Sequence, residues 1–220
     1  MVRLVVHPVQ PQKRLLEQAA VLLRGGALGV IATDAGYALA CRLDDKAAVD
    51  RLRAIRRIDD RHLLTLLCRD LSELSHYSQV DNQQYRFLKR WTPGTYTFVL
   101  PATREVPRRL AHPSRKTVGM RVPDHPVPLG LLESLGQPLL ASTLRMPDED
   151  QTLADPDDIE ERLGKRVDLM IDAGWLSSIP TTIVDLTGPK PLLRRAGLGC
   201  DAIAGEIEQA EVSGSETEHG

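Results

Sequence analysis

The sequence predicts an α/β fold of the α+β type, a twisted mixed β-sheet flanked by helices, on three observations. Short apolar runs of strand length interleave with segments of helical periodicity, but not in the strict alternation of a parallel doubly wound sheet. The 220 residues, 42% of them hydrophobic, are enough to bury one sizeable core. Clusters of hydroxyls and arginines stand at the ends of the apolar runs, where the crevices of α/β sheets receive ligands.

Taken in order, Met1–Val6 reads as a strand within an N-terminal arm, residues 1–11. Residues 12–24 place Leu15, Leu16, Ala19, Leu22 and Leu23 at helical spacing and stop at Gly25-Gly26. Strands are expected at 29–32 and 36–41, then a helix at 46–57 carried by Ala47, Val49, Leu52 and Ile55. The run 63–68 (LLTLLC) is a buried strand. A helix at 82–91 leads through Thr92-Pro93-Gly94, a turn, into a strand at 96–100. Strands at 117–121 and 139–143 enclose a helix at 127–135, and Asp155 caps a helix at 156–163 that begins with proline. Strands at 169–172, 182–186 and 192–194 complete a single domain over residues 12–200. Residues 201–220 are acidic and almost without large apolar side chains, the composition of a disordered tail.

The N-terminus lacks a signal-peptide pattern and no apolar run approaches the length of a membrane span, so a cytoplasmic protein without membrane contact is expected. Cys41, Cys68 and Cys200 are too dispersed for a disulfide framework or a zinc site. The phosphate loop, the dinucleotide GxGxxG, HExxH and GxSxG are all missing, and six scattered histidines offer no ligand spacing. No metal held by protein side chains is expected. Net charge is −2, but it divides unevenly. Residues 1–145 carry 22 basic against 13 acidic residues, or +9; residues 146–220 carry 6 against 17, or −11. A positive front two-thirds suits a phosphate-bearing or polyanionic partner.

The polar clusters are Thr33-Asp34-Ala35-Gly36-Tyr37, Arg56-Arg57 with Arg61-His62, Pro93-Gly94-Thr95-Tyr96-Thr97, Arg121-Val122-Pro123, Ser142-Thr143, Thr181-Thr182 and Arg194-Arg195. Each alone is ordinary turn or strand-edge chemistry. Seven at the strand ends of one sheet point to a pocket for an anionic ligand.

The ordered stretches ATDAGYALAC, IRRIDDRHLLTLLC, TPGTYTFVL, KTVGMRVPDHP, PLLAST, PTTIVDLT and LLRRAG resemble the YrdC-like domain family over residues 12–200, and LLCRDLSELSHYS, EVPRRL and RKTVGMRVP resemble its YciO branch. The resemblance implies a three-layer fold with a basic concave face. It also implies a relation to L-threonylcarbamoyladenylate synthases. These combine L-threonine, bicarbonate and ATP with Mg²⁺, releasing pyrophosphate, for tRNA modification; affinity for double-stranded RNA or tRNA is also associated with the family.

Carried across, Thr33 and Tyr37 match the loop that forms the threonine pocket, and Arg121 matches the arginine that meets the amino-acid carboxylate. Thr181 and Thr182 match the pair lining the nucleotide site, and Arg195 a phosphate-holding arginine. The K-x-R triplet of the family falls on Arg56-Arg57-Ile58: Arg56 keeps the first cation and isoleucine replaces the second, with Arg57 as a substitute by register. The S-x-N triplet falls on Thr143-Leu144-Arg145, which keeps a hydroxyl and exchanges an amide for a cation. Arg56 and Thr143 are the catalytic candidates; Arg57 and Arg145 join them as nucleotide-binding candidates. A lost charged hydrogen bond costs about 1.5–3 kcal/mol, and a lost preorganised donor about 10²–10³ in rate. The altered triplets therefore predict nucleotide binding that survives better than turnover. The alternative is a tRNA- or double-stranded-RNA-binding protein without synthase activity, recognising backbone and shape. With aromatics at 4%, base-stacking platforms for single strands are not expected.

Overall fold

The computed structural model describes residues 1–149 and 151–209. The elements, in chain order, are β1 (Val2–Val5), α1 (Lys13–Arg24), β2 (Gly29–Thr33), β3 (Gly36–Arg42), α2 (Lys46–Arg56) and β4 (Thr65–Leu67). Next come α3 (Leu71–Tyr77), α4 (Asn82–Trp91), β5 (Tyr96–Pro101), β6 (Thr117–Arg121), α5 (Pro126–Leu135) and β7 (Leu139–Thr143). The last are α6 (Pro156–Leu163), β8 (Leu169–Asp172), β9 (Thr182–Asp185), β10 (Leu192–Arg195), α7 (Cys200–Ile203), a 3₁₀ turn (Ala204–Glu206) and β11 (Glu208–Gln209).

All strands join one mixed sheet in the order β1-β8-β2-β3-β7-β4-β6-β5-β9-β10-β11. The β2–β3, β3–β7, β4–β7, β5–β6 and β9–β10 pairs are antiparallel, while β4–β6 and β5–β9 are parallel. Strands β2 and β3 are buried almost throughout, as a central strand with both faces covered must be, and read accordingly as unbroken apolar runs. Helix α1 packs on α5, and both reach the β2–β3 part of the sheet; α2 covers β3.

Most expected elements appear within a residue or two of the anticipated bounds. Helix α3 is an addition. Asp70 caps it by accepting from the Glu73 N–H at 2.8 Å, and Glu73 reaches back to the Arg69 N–H at 2.6 Å; Asp-x-x-Glu is the signature of a helix start. The second difference lies at the C-terminal end. Structure continues past residue 200, because Ile203 is fully buried and Ile207 packs on the core. The chain then adds β11 alongside β10, with Leu192 opposite Glu208. The first nine residues of the expected tail are thus anchored, and residues 210–220 lie outside the described residues. No helix among the described residues is long and apolar enough to cross a membrane.

Candidate functional site

Strand ends from β2, β3, β6, β7, β9 and β10 converge on a cleft of about 380 Å³. Its floor begins at the tight turn between β2 and β3. Thr33 Oγ1 donates to the Gly36 carbonyl at 2.6 Å and accepts from the Ala35 N–H at 3.1 Å, so the hydroxyl that opens the turn also closes it. Gly36 sits at φ +90°, and a Cβ there would stand 2.6 Å from the Ser177 carbonyl oxygen. Only glycine lets the 173–180 loop lie this close over the turn.

The turn places Asp34 against Arg121, the last residue of β6. The two form a buried ion pair, and Asp34 also accepts from the Asp124 N–H at 3.3 Å. The sequence reading gives Arg121 a ligand carboxylate; in the structure Asp34 occupies one side of the guanidinium, and the buried Nε has no acceptor among the described residues. Arg121 is thus already engaged by a carboxylate of the chain itself.

At the opposite end, Arg56 is the last residue of α2, only 7% exposed, with Nε donating to Ser142 Oγ on β7 at 3.3 Å. Arg195 donates from Nε and Nη2 to the Thr181 carbonyl at 3.3 and 2.9 Å, and Thr181 Oγ1 meets Thr97 Oγ1 at 3.0 Å. Arg61 and His62 reach the cleft from the α2–β4 loop, and Thr143 and Arg145 from the end of β7. Among the described residues no carboxylate lines this end, and none pairs with Arg56, Arg61, Arg145 or Arg195. Like charges this close raise one another's cost of ionisation. Burial, then Arg145, pushes Arg56 down to about 10. The same two causes lower Arg195. Burial, then Arg56 and Arg145, lowers His62. An anion would offset the like-charge part of all three shifts.

Eight of the ten candidate residues line the cleft: Thr33, Tyr37, Arg56, Arg121, Thr143, Arg145, Thr181 and Arg195. Tyr37 does so with its hydroxyl turned elsewhere. The side chain is fully buried, donates to the Gly174 carbonyl at 2.7 Å and accepts from the Ala173 N–H at 3.2 Å. It holds β8 to the hairpin and offers a ligand no free hydroxyl. Arg57 is not in the cleft. As the α2 cap it adopts φ 49°, which swings its side chain to the surface, 72% exposed and beside Asp148. Thr182 is also absent, because neighbours in a strand face opposite ways. Its hydroxyl donates to the Leu198 carbonyl at 2.9 Å and accepts from the Gly197 N–H at 3.1 Å, fixing the turn after β10.

Several lining residues were not candidates. Arg61, His62, Ser142 and Thr97 stood in the polar clusters and carried a signal. Thr65, Thr152 and Ser178 are isolated hydroxyls without one; Thr152 enters because it donates to the Ser178 carbonyl at 2.9 Å.

The Sua5/YciO/YrdC family model, described as "Telomere recombination", matches residues 21–197. The chain belongs to this Sua5/YciO/YrdC family. Among its members, the protein YciO of Escherichia coli K12 is 50% identical over 194 residues, covering 88% of this chain and 94% of that one. The threonylcarbamoyl-AMP synthase of Chromobacterium violaceum is 30% identical over 200 residues, covering 84% and 95%. The crystal structure of E. coli YciO superposes with TM-score 0.87 at 49% identity, covering 90% of this chain and 96% of the other. P. abyssi Sua5 complexed with L-threonine gives TM-score 0.85 at 24% identity, covering 96% and 63%, and so shares the fold. Within this fold, Arg56 and Arg145 both face the cleft, while Arg57 does not.

Proposed function

We propose that the cleft binds the polyphosphate of ATP at its arginine end and a small anionic co-substrate at the Asp34–Arg121 end, as a divergent relative of the threonylcarbamoyl-AMP synthases. The observation that carries this reading is the set of four guanidinium groups, Arg56, Arg61, Arg145 and Arg195, gathered in one cleft without a carboxylate partner among the described residues. Arg56 is buried and the other three are exposed; clustered cations repel one another, and a polyanion would offset that cost. The synthase relative at 30% identity supplies the reaction class. L-threonine, the ligand of the Sua5 structure, is the first small molecule to test.

In that reaction the L-threonine amine adds to the bicarbonate carbon with loss of water, and an oxygen of the resulting carbamate attacks the α-phosphorus. The α–β phosphoanhydride bond breaks, and pyrophosphate leaves with the electron pair. The protein contributes position and charge rather than covalent chemistry. Arg56, Arg145 and Arg195 hold the negative charge that grows on the leaving pyrophosphate, and Thr143 and Thr181 add hydroxyls to the phosphate oxygens. Mg²⁺ would travel on the phosphates of the nucleotide itself; no group of three His, Cys, Asp or Glu side chains among the described residues is placed to hold a metal ion.

Incubation with L-threonine, bicarbonate, Mg²⁺ and ATP tests the reading, with pyrophosphate and the adenylate as products. Slow turnover that disappears in Arg56→Met supports it. Tight ATP binding without product removes the reaction and keeps the nucleotide site. A second reading, structured RNA tracked along its backbone, is favoured by the +9 balance of residues 1–145. For it, tRNA affinity should fall steeply with salt; a flat response refutes it.

A further inference from the structure

His62 on the α2–β4 loop is given no role above, yet it reaches the cleft beside Arg61. The loop is held by Asp59. Its carboxylate accepts from the Arg61 N–H at 3.0 Å and from the His62 N–H at 3.1 Å, and its carbonyl lies 3.4 Å from the His62 nitrogen. Two successive side chains are thereby presented to one cavity. The imidazole faces Arg56 from α2, Arg145 from the end of β7 and Arg195 from β10, with Arg61 and Asp59 on its own loop. Asp59, the carboxylate of this set, is already engaged by two backbone N–H groups.

We propose that His62 is a binding residue for the phosphate-bearing ligand, taking up one proton as the ligand enters and donating an N–H to a phosphate oxygen. This rests on the anion reading of the cleft and on no particular reaction. In the free protein, partial desolvation against the cleft wall and then the facing arginines favour the neutral ring, below the ordinary histidine range, although His62 keeps an exposed face. A polyphosphate cancels those charges and adds its own negative field, so the bound ring favours the imidazolium. The sign follows: the proton is held more tightly in the complex than in the free protein. Affinity is therefore highest below both pKa values and falls as pH rises between them, by at most about tenfold per pH unit for one proton.

The probe is inorganic pyrophosphate, titrated calorimetrically into the full chain between pH 6 and 8 in buffers of different ionisation enthalpy. Wild type, His62→Gln and Arg56→Met are compared. Protonation of the probe itself is common to all three and cancels in the differences. Wild type should take up close to one proton more than His62→Gln, and the affinity gap between them should widen towards pH 6 and close towards pH 8. Arg56→Met should bind more weakly at every pH. Equal proton uptake in wild type and His62→Gln overturns the proposal while leaving the anion cleft intact. Absence of binding in wild type at every pH overturns the cleft reading and the proposal together. An independent check needs no variant: the His62 ring resonance of the wild-type protein should titrate at a higher pH with pyrophosphate than without it. An unmoved titration overturns the proposal.

Discussion

Replacing Arg56 by methionine should separate binding from stability in opposite directions. The guanidinium is 7% exposed, donates one hydrogen bond to Ser142 at 3.3 Å and has no carboxylate partner among the described residues. Burial and Arg145 push its pKa from the ordinary arginine range down to about 10. For a base with a depressed folded pKa, the penalty is fully present below that pKa and is relieved only as pH rises through it, so it operates at neutral pH. Each unit corresponds to about 1.4 kcal/mol, and screening by water in an open cleft leaves about 1–2 kcal/mol of it. Methionine keeps the apolar stem and removes the charge, at the loss of one hydrogen bond worth about 1 kcal/mol. The variant should therefore be as stable as the parent or more stable by up to about 1 kcal/mol, a rise in Tm of up to about 2–4 °C for a chain of this size. Removing a charged contact to phosphate costs about 1.5–3 kcal/mol, so affinity for Mg²⁺-ATP should fall roughly 10- to 150-fold. Thermal unfolding with and without ATP reads both effects. A Tm several degrees lower, with ATP affinity unchanged, would show that Arg56 is structural and sink the reasoning.

Four further outcomes follow from where side chains point. Arg57→Ala removes an exposed ion pair and should change stability by less than about 0.5 kcal/mol, with ATP affinity unaltered; a tenfold loss of affinity would return Arg57 to the site. Tyr37→Phe leaves the Ala173 N–H without its acceptor and should cost about 1–3 kcal/mol by denaturant unfolding, while ligand affinity in the folded protein stays within twofold. Thr182→Val should lower stability by about 1 kcal/mol without touching ATP binding. Thr181→Val loosens the anchor of Arg195 and should weaken binding by calorimetry; equal behaviour of the two variants would contradict their opposite orientations.

Much of the architecture was legible because helical periodicity, caps and apolar runs are local signals. Asp155 before Pro156 and the Gly25-Gly26 stop are examples, and both bound helices in the structure. Helix α3 was missed although Asp70-x-x-Glu73 announces it, since its seven residues carry little periodicity. The tail was read by its acidity, which outweighed two isoleucines, Ile203 and Ile207, that tie it to the core. In the site, residue type was legible and direction was not. Thr181 and Thr182 are indistinguishable as letters, and strand alternation sends one to the cleft and the other to the turn at Gly197. Arg57 depends on a cap dihedral, and Tyr37 on a partner 136 positions away. Asp34 stood in the opening cluster but acquired its role only when β2–β3 and β6 were brought together at Arg121.

In the proposed function the arginine end of the cleft holds polyphosphate. Calorimetric titration of Mg²⁺-ATP into wild type and into the Arg56→Met/Arg195→Met double variant tests it most directly. The account predicts saturable one-site binding by wild type and a loss of at least about 100-fold in the folded double variant, two charged contacts at about 1.5–3 kcal/mol each. Equal affinity in the two proteins, or no binding by wild type, would contradict it.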